Sequence, residues 1–294
     1  MKEKLIPLLL AITAAACSRG GTLGPSTPAT GETAASSPSA ANPTAATTQV
    51  TIYYLAAGDR RLYLAPERHQ VPRAQAVARA ALEELVHGTA QDPDHSTPYP
   101  RPSKINGVTI RDKVATVDWS AEVLTANAGA ETESLGIQSI VYTLTEFSSI
   151  ISVRFTVEGK ERGRASNGRS IEDFWGHVGL SGQPWVRAPQ IEVLAPITLW
   201  TPLDGSRSNG TLRLTGEAST FEANVGIVLR DAAGKVVVRT STTALRGAPQ
   251  RGPFAKTITF APPASAQTWT LQVIEDSPED GSTVFMENRK IRVG

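Results

Sequence analysis

Along the chain the spacing of apolar residues switches between short β-like runs and helical steps of three and four. VTIYYL (50–55) is rich in β-branched and aromatic residues, Gly58-Asp59 marks a turn, and RLYLAPERHQVP (61–72) continues extended. Ala74, Val77, Ala78, Ala81, Leu82, Leu85 and Val86 then recur at helical steps. Pro72 suits the first turn of that helix and Gly88 its C-terminal cap. The stripe is made mostly of small residues, which predicts a helix lying close against a sheet. A polar, proline-rich loop (89–103) leads to INGVTI (105–110) and VATVDWS (114–120), joined by a turn at 111–113 and read as a hairpin. Leu135, Ile137, Ile140, Val141, Leu144, Phe147 and Ile151 predict a second helix over about 133–149, and ISVRFTVEG (151–159) closes the unit as a strand with Val153, Phe155 and Val157 on one face. The order β-α-β-β-α-β over residues 50–160 predicts an α+β domain, two helices on one face of a small mixed sheet.

Residues 161–189 connect, with a basic stretch (Arg162, Arg164, Arg169) and an apolar-aromatic segment, IEDFWGHVGL (171–180). From Gln190 the helical period disappears. QIEVLAP, TLRLTGEAS, NVGIVLRD, KVVVRTST, PFAKTITFAP, TWTLQVIEDS and RKIRVG alternate with turn signals, one of them Asp231-Ala232-Ala233-Gly234. Seven short runs of this kind predict an all-β antiparallel sandwich over 190–294.

Ahead of the first strand the pattern is different again. Residues 18–49 are almost all Ser, Thr, Pro, Ala and Gly, with Arg19 and Glu32 as the only charges, a composition that cannot offset its ordering entropy and reads as a disordered tether. A coil of that length reaches ~30 Å. Residues 1–17 combine Lys2 and Lys4, an apolar run from Leu5 to Ala16, and Cys17. The run is too short to span a bilayer and has the flanks of a secretory signal, so the chain is expected to be exported. Cys17 is the sole cysteine, so neither folded unit can rely on an internal disulfide. With 29 basic and 28 acidic residues the net charge is +1, which gives no bulk field for nucleic acid or an acidic substrate. Asn42-Pro43-Thr44 is closed to glycosylation by its proline, and Asn209-Gly210-Thr211 is read as a turn.

Several of these stretches resemble known families. LEELVHGT (82–89), VATVDWS (114–120), QSIVYTLTEF (138–147) and VRFTVEGK (153–160) resemble the GerMN domain of bacterial sporulation and spore-germination proteins and of some surface lipoproteins, with Gly88-Thr89 where that family usually has Gly-Pro. Such domains resemble the ring-building folds of secretion and sporulation complexes, which implies protein–protein assembly and is compatible with a homo-oligomer. Residues 190–293 resemble the immunoglobulin-like domain of bacterial spore germination, through Gly216, Phe221, Glu222, Gly234, Gly252-Pro253-Phe254 and Asp280-Gly281-Ser282. Cys17 after Ala14-Ala15-Ala16 resembles a lipobox, although Ala14 stands where a larger aliphatic residue is usual; this implies lipidation at Cys17. The alternative is an ordinary secretory signal cut near the alanines.

Candidate chemistry adds little to this picture. His69, His87, His95 and His177 are read as lying in loops or at a helix end, without metal-ligand spacing. Asp92, Asp94 and His95 fall together in a proline-broken loop and read as solvated polarity rather than a metal or acid–base site. Ser134, Ser139 and Ser148 lack a nucleophile elbow, and no phosphate-binding glycine loop occurs. Glu275, Asp276, Glu279 and Asp280 could serve calcium or could be an acidic turn at a sheet edge. Tyr142, Thr145 and Glu146 are placed on the polar flank of the second helix, Glu146 being open between an internal contact and a partner contact. Trp119, Trp175, Trp185, Trp200 and Trp269 read as buried anchors, with a carbohydrate site as the competing role. No catalytic, cofactor or metal residue is therefore assigned.

The function expected is that of a non-enzymatic protein, lipid-anchored to the outer face of the cell membrane, which binds or organises envelope proteins and not nucleic acid. A peptidoglycan or wall-polymer binding module is the second reading. A wall-active hydrolase is the third, and would need a carboxylate pair or an activated nucleophile in one cleft.

Overall fold

The computed structural model describes residues 46–73, 76–172, 174 and 183–294. Cys17, the signal segment and the tether up to residue 45 lie outside the described residues, as do Ala74, Trp175 and His177. Among the described residues no helix is long and apolar enough to cross a membrane.

The first domain opens with a hairpin. Strands β1 (Thr47–Ala57) and β2 (Leu62–Pro72) pair antiparallel over their whole length, Thr47 opposite Pro72 and Ala57 opposite Leu62. Pro72 therefore ends a strand instead of opening a helix, and helix α1 runs Val77–His87. It buries Ala78, Ala81, Leu82, Leu85 and Val86, the stripe expected from the spacing. The loop that follows carries β3 (His95–Ser96) onto the free edge of β1, opposite Leu55 and Ala56. Strands β4 (Ile105–Arg111) and β5 (Val114–Trp119) form a hairpin whose turn residues, Asp112 and Lys113, both take positive φ. That backbone matches the twist of a two-residue connection.

Helix α2 (Ala130–Thr145) then crosses to β6 (Ser152–Val157), which pairs parallel to β5. The helix starts and stops a few residues earlier than its apolar spacing predicts, and Ile151 is exposed rather than part of its face. The strands divide into two three-stranded sheets, β2-β1-β3 and mixed β4-β5-β6. A single core joins Ile52 and Tyr54, α1, α2, Val117, Trp119, Val153, Phe155 and Val157.

QIEV, expected to begin the sandwich, is a one-turn helix α3 (Gln190–Val193) after Pro189. Val193 and Leu194 pack with Tyr53, Leu55, Leu64, Leu135 and Tyr142, so the end of the connector belongs to the surface of the first domain. Ala195 N donates to Leu64 O at 2.9 Å and continues that attachment.

The sandwich follows: β7 (Ile197–Thr201), β8 (Arg207–Ser208), β9 (Thr211–Ala218), β10 (Asn224–Arg230), β11 (Val236–Thr243), β12 (Gly252–Thr259), β13 (Gln267–Asp276) and β14 (Thr283–Val293). One sheet has the order β11-β10-β13-β14-β8 and the other β12-β9-β7. Their inner faces share a core of Leu214, Val225, Ile227, Trp269, Leu271, Val273 and Ile291. Asp231 closes the β10–β11 turn: its Oδ1 accepts from Ala233 N and Lys235 N, both at 2.9 Å, while Gly234 takes φ +81°. Gly216 is required by packing, because a Cβ there would stand 2.3 Å from Thr198 O and 2.4 Å from the Phe254 ring.

Candidate functional site

Two strands bring charge to faces that their neighbours fill with hydrocarbon. On β2 the alternation places Glu67, His69 and Val71 inward. On β14 it places Phe285, Glu287, Arg289, Ile291 and Val293 inward. The two strands belong to different domains, and their charged positions meet where those domains touch.

Glu67 lies at the centre. Its Oε1 accepts from Asp92 N (2.9 Å) and its Oε2 from Gln91 N (2.7 Å). His69 Nε2 lies 2.7 Å from Oε2 and His95 Nδ1 2.7 Å from Oε1. Burial works against the charge on Glu67, but His69, His95 and the two backbone N–H groups outweigh it and hold the carboxyl well below the usual carboxylate range. The other His69 nitrogen, Nδ1, lies 2.8 Å from Glu84 Oε1. A neutral ring would turn a lone pair toward one of these carboxylates, so His69 is an imidazolium with two donated bonds. Burial alone would lower its pKa; Glu67 and Glu84 raise it above the ordinary histidine value. Gly88 makes room for this arrangement, since a Cβ there would stand 2.3 Å from Glu84 O and 2.5 Å from Glu84 Oε1.

The sandwich contributes the other half. Arg289 Nη1 donates to Asp92 Oδ2 across the domain boundary, and Nη2 donates to Glu287 Oε1. Glu287 Oε2 also accepts from Leu199 N at 3.2 Å. Side-chain exposure is 6% for Arg289, 3% for Asp92 and 8% for Glu287, so these ions have left water and depend on one another. Burial pushes the Glu287 carboxyl up and the Arg289 guanidinium pulls it down; the result lies above the usual value. Around this centre, Arg68 stacks on Trp200 at 4.2 Å and Tyr63 meets Phe285 edge-to-face at 5.5 Å, again between the domains. Two small clefts flank the network. One of 210 Å³ is lined by Gln49, Arg68, Trp200 and Asp204, and one of 200 Å³ by Ala56, Asp94 and Met286.

Asp92 and His95 are thus not the solvated loop polarity their surroundings in sequence suggest. Glu67 captures the loop through two backbone N–H groups and an imidazole, and the sandwich covers it. His69 lies in a strand rather than a loop, while His87 is at a helix end as expected, 3.7 Å from Glu83. Sequence reasoning passed over Glu67, Glu84, Glu287 and Arg289. The available signal was a charged residue at every second position of a strand whose other inward positions are apolar.

The remaining candidates resolve individually. Tyr142 is core rather than polar flank: its hydroxyl donates to Ala188 O at 2.5 Å, and its ring lies 5.1 Å from Tyr53. Glu146 is taken internally, accepting from Tyr53 Oη at 2.9 Å and from Arg187 Nη2 at 2.5 Å. Ser139 is buried against Tyr99 Oη at 2.7 Å. In the acidic turn, Glu275 accepts from Phe221 N, Asp276 from Thr283 and Asp280 from Ser282, as suits a hydrogen-bonded turn. Trp119 stacks on Tyr99 and Trp269 packs on Phe260, both as buried anchors. Trp200 is the partly exposed indole beside a cleft.

The network holds groups capable of proton transfer, and most of them are bonded to one another; His95 Nε2, 3.7 Å from Asp92 Oδ2, is the exception among the described residues. Among the described residues its hydrogen bonds come from carboxylates, imidazoles, a guanidinium and backbone N–H groups, and no Ser, Thr or Cys side chain joins it. Its evident work is to fasten one domain to the other.

Residues 51–163 match the family model Germane, described as sporulation and spore germination, and residues 196–282 match Gmad2, the immunoglobulin-like domain of bacterial spore germination. The chain carries a GerMN domain followed by a Gmad2 domain. The spore germination protein GerM of Bacillus subtilis (strain 168) is 30% identical over 107 residues, which cover 35% of this chain and 29% of GerM. This chain therefore spans less than a third of the length of the curated relative it matches. Among solved structures, the tandem GerMN domains of B. subtilis GerM are 25% identical with a TM-score of 0.39, covering 51% of this chain and 50% of that one. A putative lipoprotein from Clostridium perfringens is 18% identical with a TM-score of 0.31, covering 50% of this chain and 93% of that one. The Gmad2 match ends at residue 282, before β14, the strand that carries Glu287 and Arg289 to the GerMN domain.

Proposed function

We propose that this chain is a non-enzymatic protein, lipid-anchored through Cys17 to the outer face of the cell membrane. Its GerMN and Gmad2 domains act as one rigid body that binds or organises protein partners in the envelope. The carrying observation is the buried Glu67–Asp92–Arg289–Glu287 linkage, which fixes the second domain on the first and spends its polar groups internally rather than in an open catalytic cleft. Exposed apolar side chains support contacts with protein: Leu245 is 75% exposed and Phe221 53% exposed, on loops stitched together by the 2.8 Å bond from Ala244 N to Ala223 O. The edge strand β11 adds a row of backbone groups and the exposed Val236 and Val237. The relation to a spore germination protein agrees with an envelope role.

One observation favours the wall polymer as a second reading. The cleft beside Trp200 presents an indole, Gln49 and Asp204 together, the mixed apolar and polar lining that sugars use. Affinity capture separates the two. The purified chain is incubated with detergent-solubilised envelope proteins and, in parallel, with purified wall. Enrichment of specific proteins that Phe221→Ala plus Leu245→Ser abolishes, with no retention by wall, supports the proposal. Retention by wall that Trp200→Ala abolishes would overturn it in favour of polymer binding.

A further inference from the structure

At the junction of the GerMN and Gmad2 domains, Asp92, His95 and Glu287 each turn one ligand-type atom toward the others, all within 4.8 Å of one another. Two come from the loop captured by Glu67 and the third from β14 of the other domain. The His95 side chain is 5% exposed. Its Nδ1 is committed to Glu67 Oε1 at 2.7 Å, whereas its Nε2 makes no hydrogen bond among the described residues and faces Asp92 Oδ2 at 3.7 Å. A carboxylate on one imidazole nitrogen fixes the ring, and the other nitrogen, once it gives up its proton to an incoming metal, offers a lone pair directed at the two acids; metal-binding histidines are held in this way.

The charge count points the same way. Glu67, Asp92 and Glu287, each less than a tenth exposed and counted as ionised, bring three negative charges, and the His69 imidazolium and Arg289 return two. With His95 neutral, as a ligand requires, the buried junction keeps an excess of negative charge that favours a bound cation. Arg289 donates to the same Asp92 Oδ2 that faces His95 and to Glu287 Oε1; a carboxylate oxygen has about two lone-pair positions, so one position remains on Asp92 Oδ2 for a cation.

We propose that Asp92, His95 and Glu287 bind a divalent transition metal, Zn²⁺ by preference, that ties the GerMN domain to the Gmad2 domain. One imidazole and two carboxylates suit zinc, which accepts four ligands, the last a water from the 200 Å³ cleft. Calcium, which takes six to eight oxygens, is poorly served by three donors.

The test uses the full chain bearing Cys17→Ala, so that no thiol competes, stripped with chelator and titrated with Zn²⁺ by calorimetry and thermal unfolding. The expected result is one Zn²⁺ per chain and a Tm rise of about 5–10 °C when free Zn²⁺ is a hundredfold above Kd. His95→Ala should lose both. His87→Ala, which alters an exposed histidine elsewhere, should lose neither. If His95→Ala does not fold, as judged by circular dichroism, Glu287→Gln should weaken binding at least tenfold. Absence of binding, or equal binding by the chain and its His95 and Glu287 variants, would overturn the proposal and leave a surface-bound ion only.

Discussion

Arg289→Met gives the sharpest view of how the two domains are joined. The substitution keeps the apolar stem and removes the one guanidinium that bridges Asp92 of the GerMN domain and Glu287 of the Gmad2 domain. Both carboxylates are less than a tenth exposed, so the variant leaves two like charges facing each other out of water without their shared cation. Removing one partner from a buried pair costs about 3–5 kcal/mol. Against a total stability of about 5–15 kcal/mol for a typical domain, this is a large fraction. The measurement is urea unfolding in the presence of chelator, followed by far-ultraviolet circular dichroism and by tryptophan fluorescence. The native chain should give one transition by both probes, and the variant a lower midpoint with transitions that separate as the domains uncouple. Pairing it with Glu287→Gln should restore part of the loss, a coupling of about 0.5–3 kcal/mol. A loss below about 1 kcal/mol, the range of solvated surface pairs, would refute the reasoning that this linkage is buried and structural.

Three further outcomes follow from the same residues. Gly88→Ala should cost about 1–3 kcal/mol in thermal or chemical unfolding, because its methyl would overlap Glu84 and push that carboxylate away from His69. His69 has a raised pKa, so its charged pairing stabilises the fold fully below the unfolded value of about 6.5 and is lost as pH rises through the folded value. The stability gap between the native chain and His69→Gln should accordingly shrink from pH 6 upward, and a gap that widens would reverse the sign assigned here. Cys17→Ala should leave the circular dichroism of the folded domains unchanged and release the protein from the membrane fraction; retention there would count against the lipid anchor.

Local patterns carried the architecture well. The α1 and α2 stripes, the β4–β5 hairpin and the alternation within the sandwich strands each arise from residues near in sequence, so spacing alone exposes them. Failures came where distant contacts overruled local preference. Pro72 looked like a helix start, but an eleven-residue pairing with β1 holds it in a strand. QIEV looked like a strand, but Val193 and Leu194 gain more by burial against Tyr53 and Leu64. The junction was hidden for the same reason: Asp92 and Arg289 are 197 positions apart, and charged residues in a proline-broken loop give no local sign of what covers them. The one local trace was the placing of Glu67 and His69, and of Glu287 and Arg289, on the inward side of alternating strands.

The claim on which the functional reading rests is that the GerMN and Gmad2 domains form one body. Backbone ¹⁵N relaxation tests it directly, by comparing amides in β5 and β6 with amides in β10 and β13. One shared rotational correlation time, splitting into two in Arg289→Met, is the predicted result. Two different correlation times in the native chain would contradict the account.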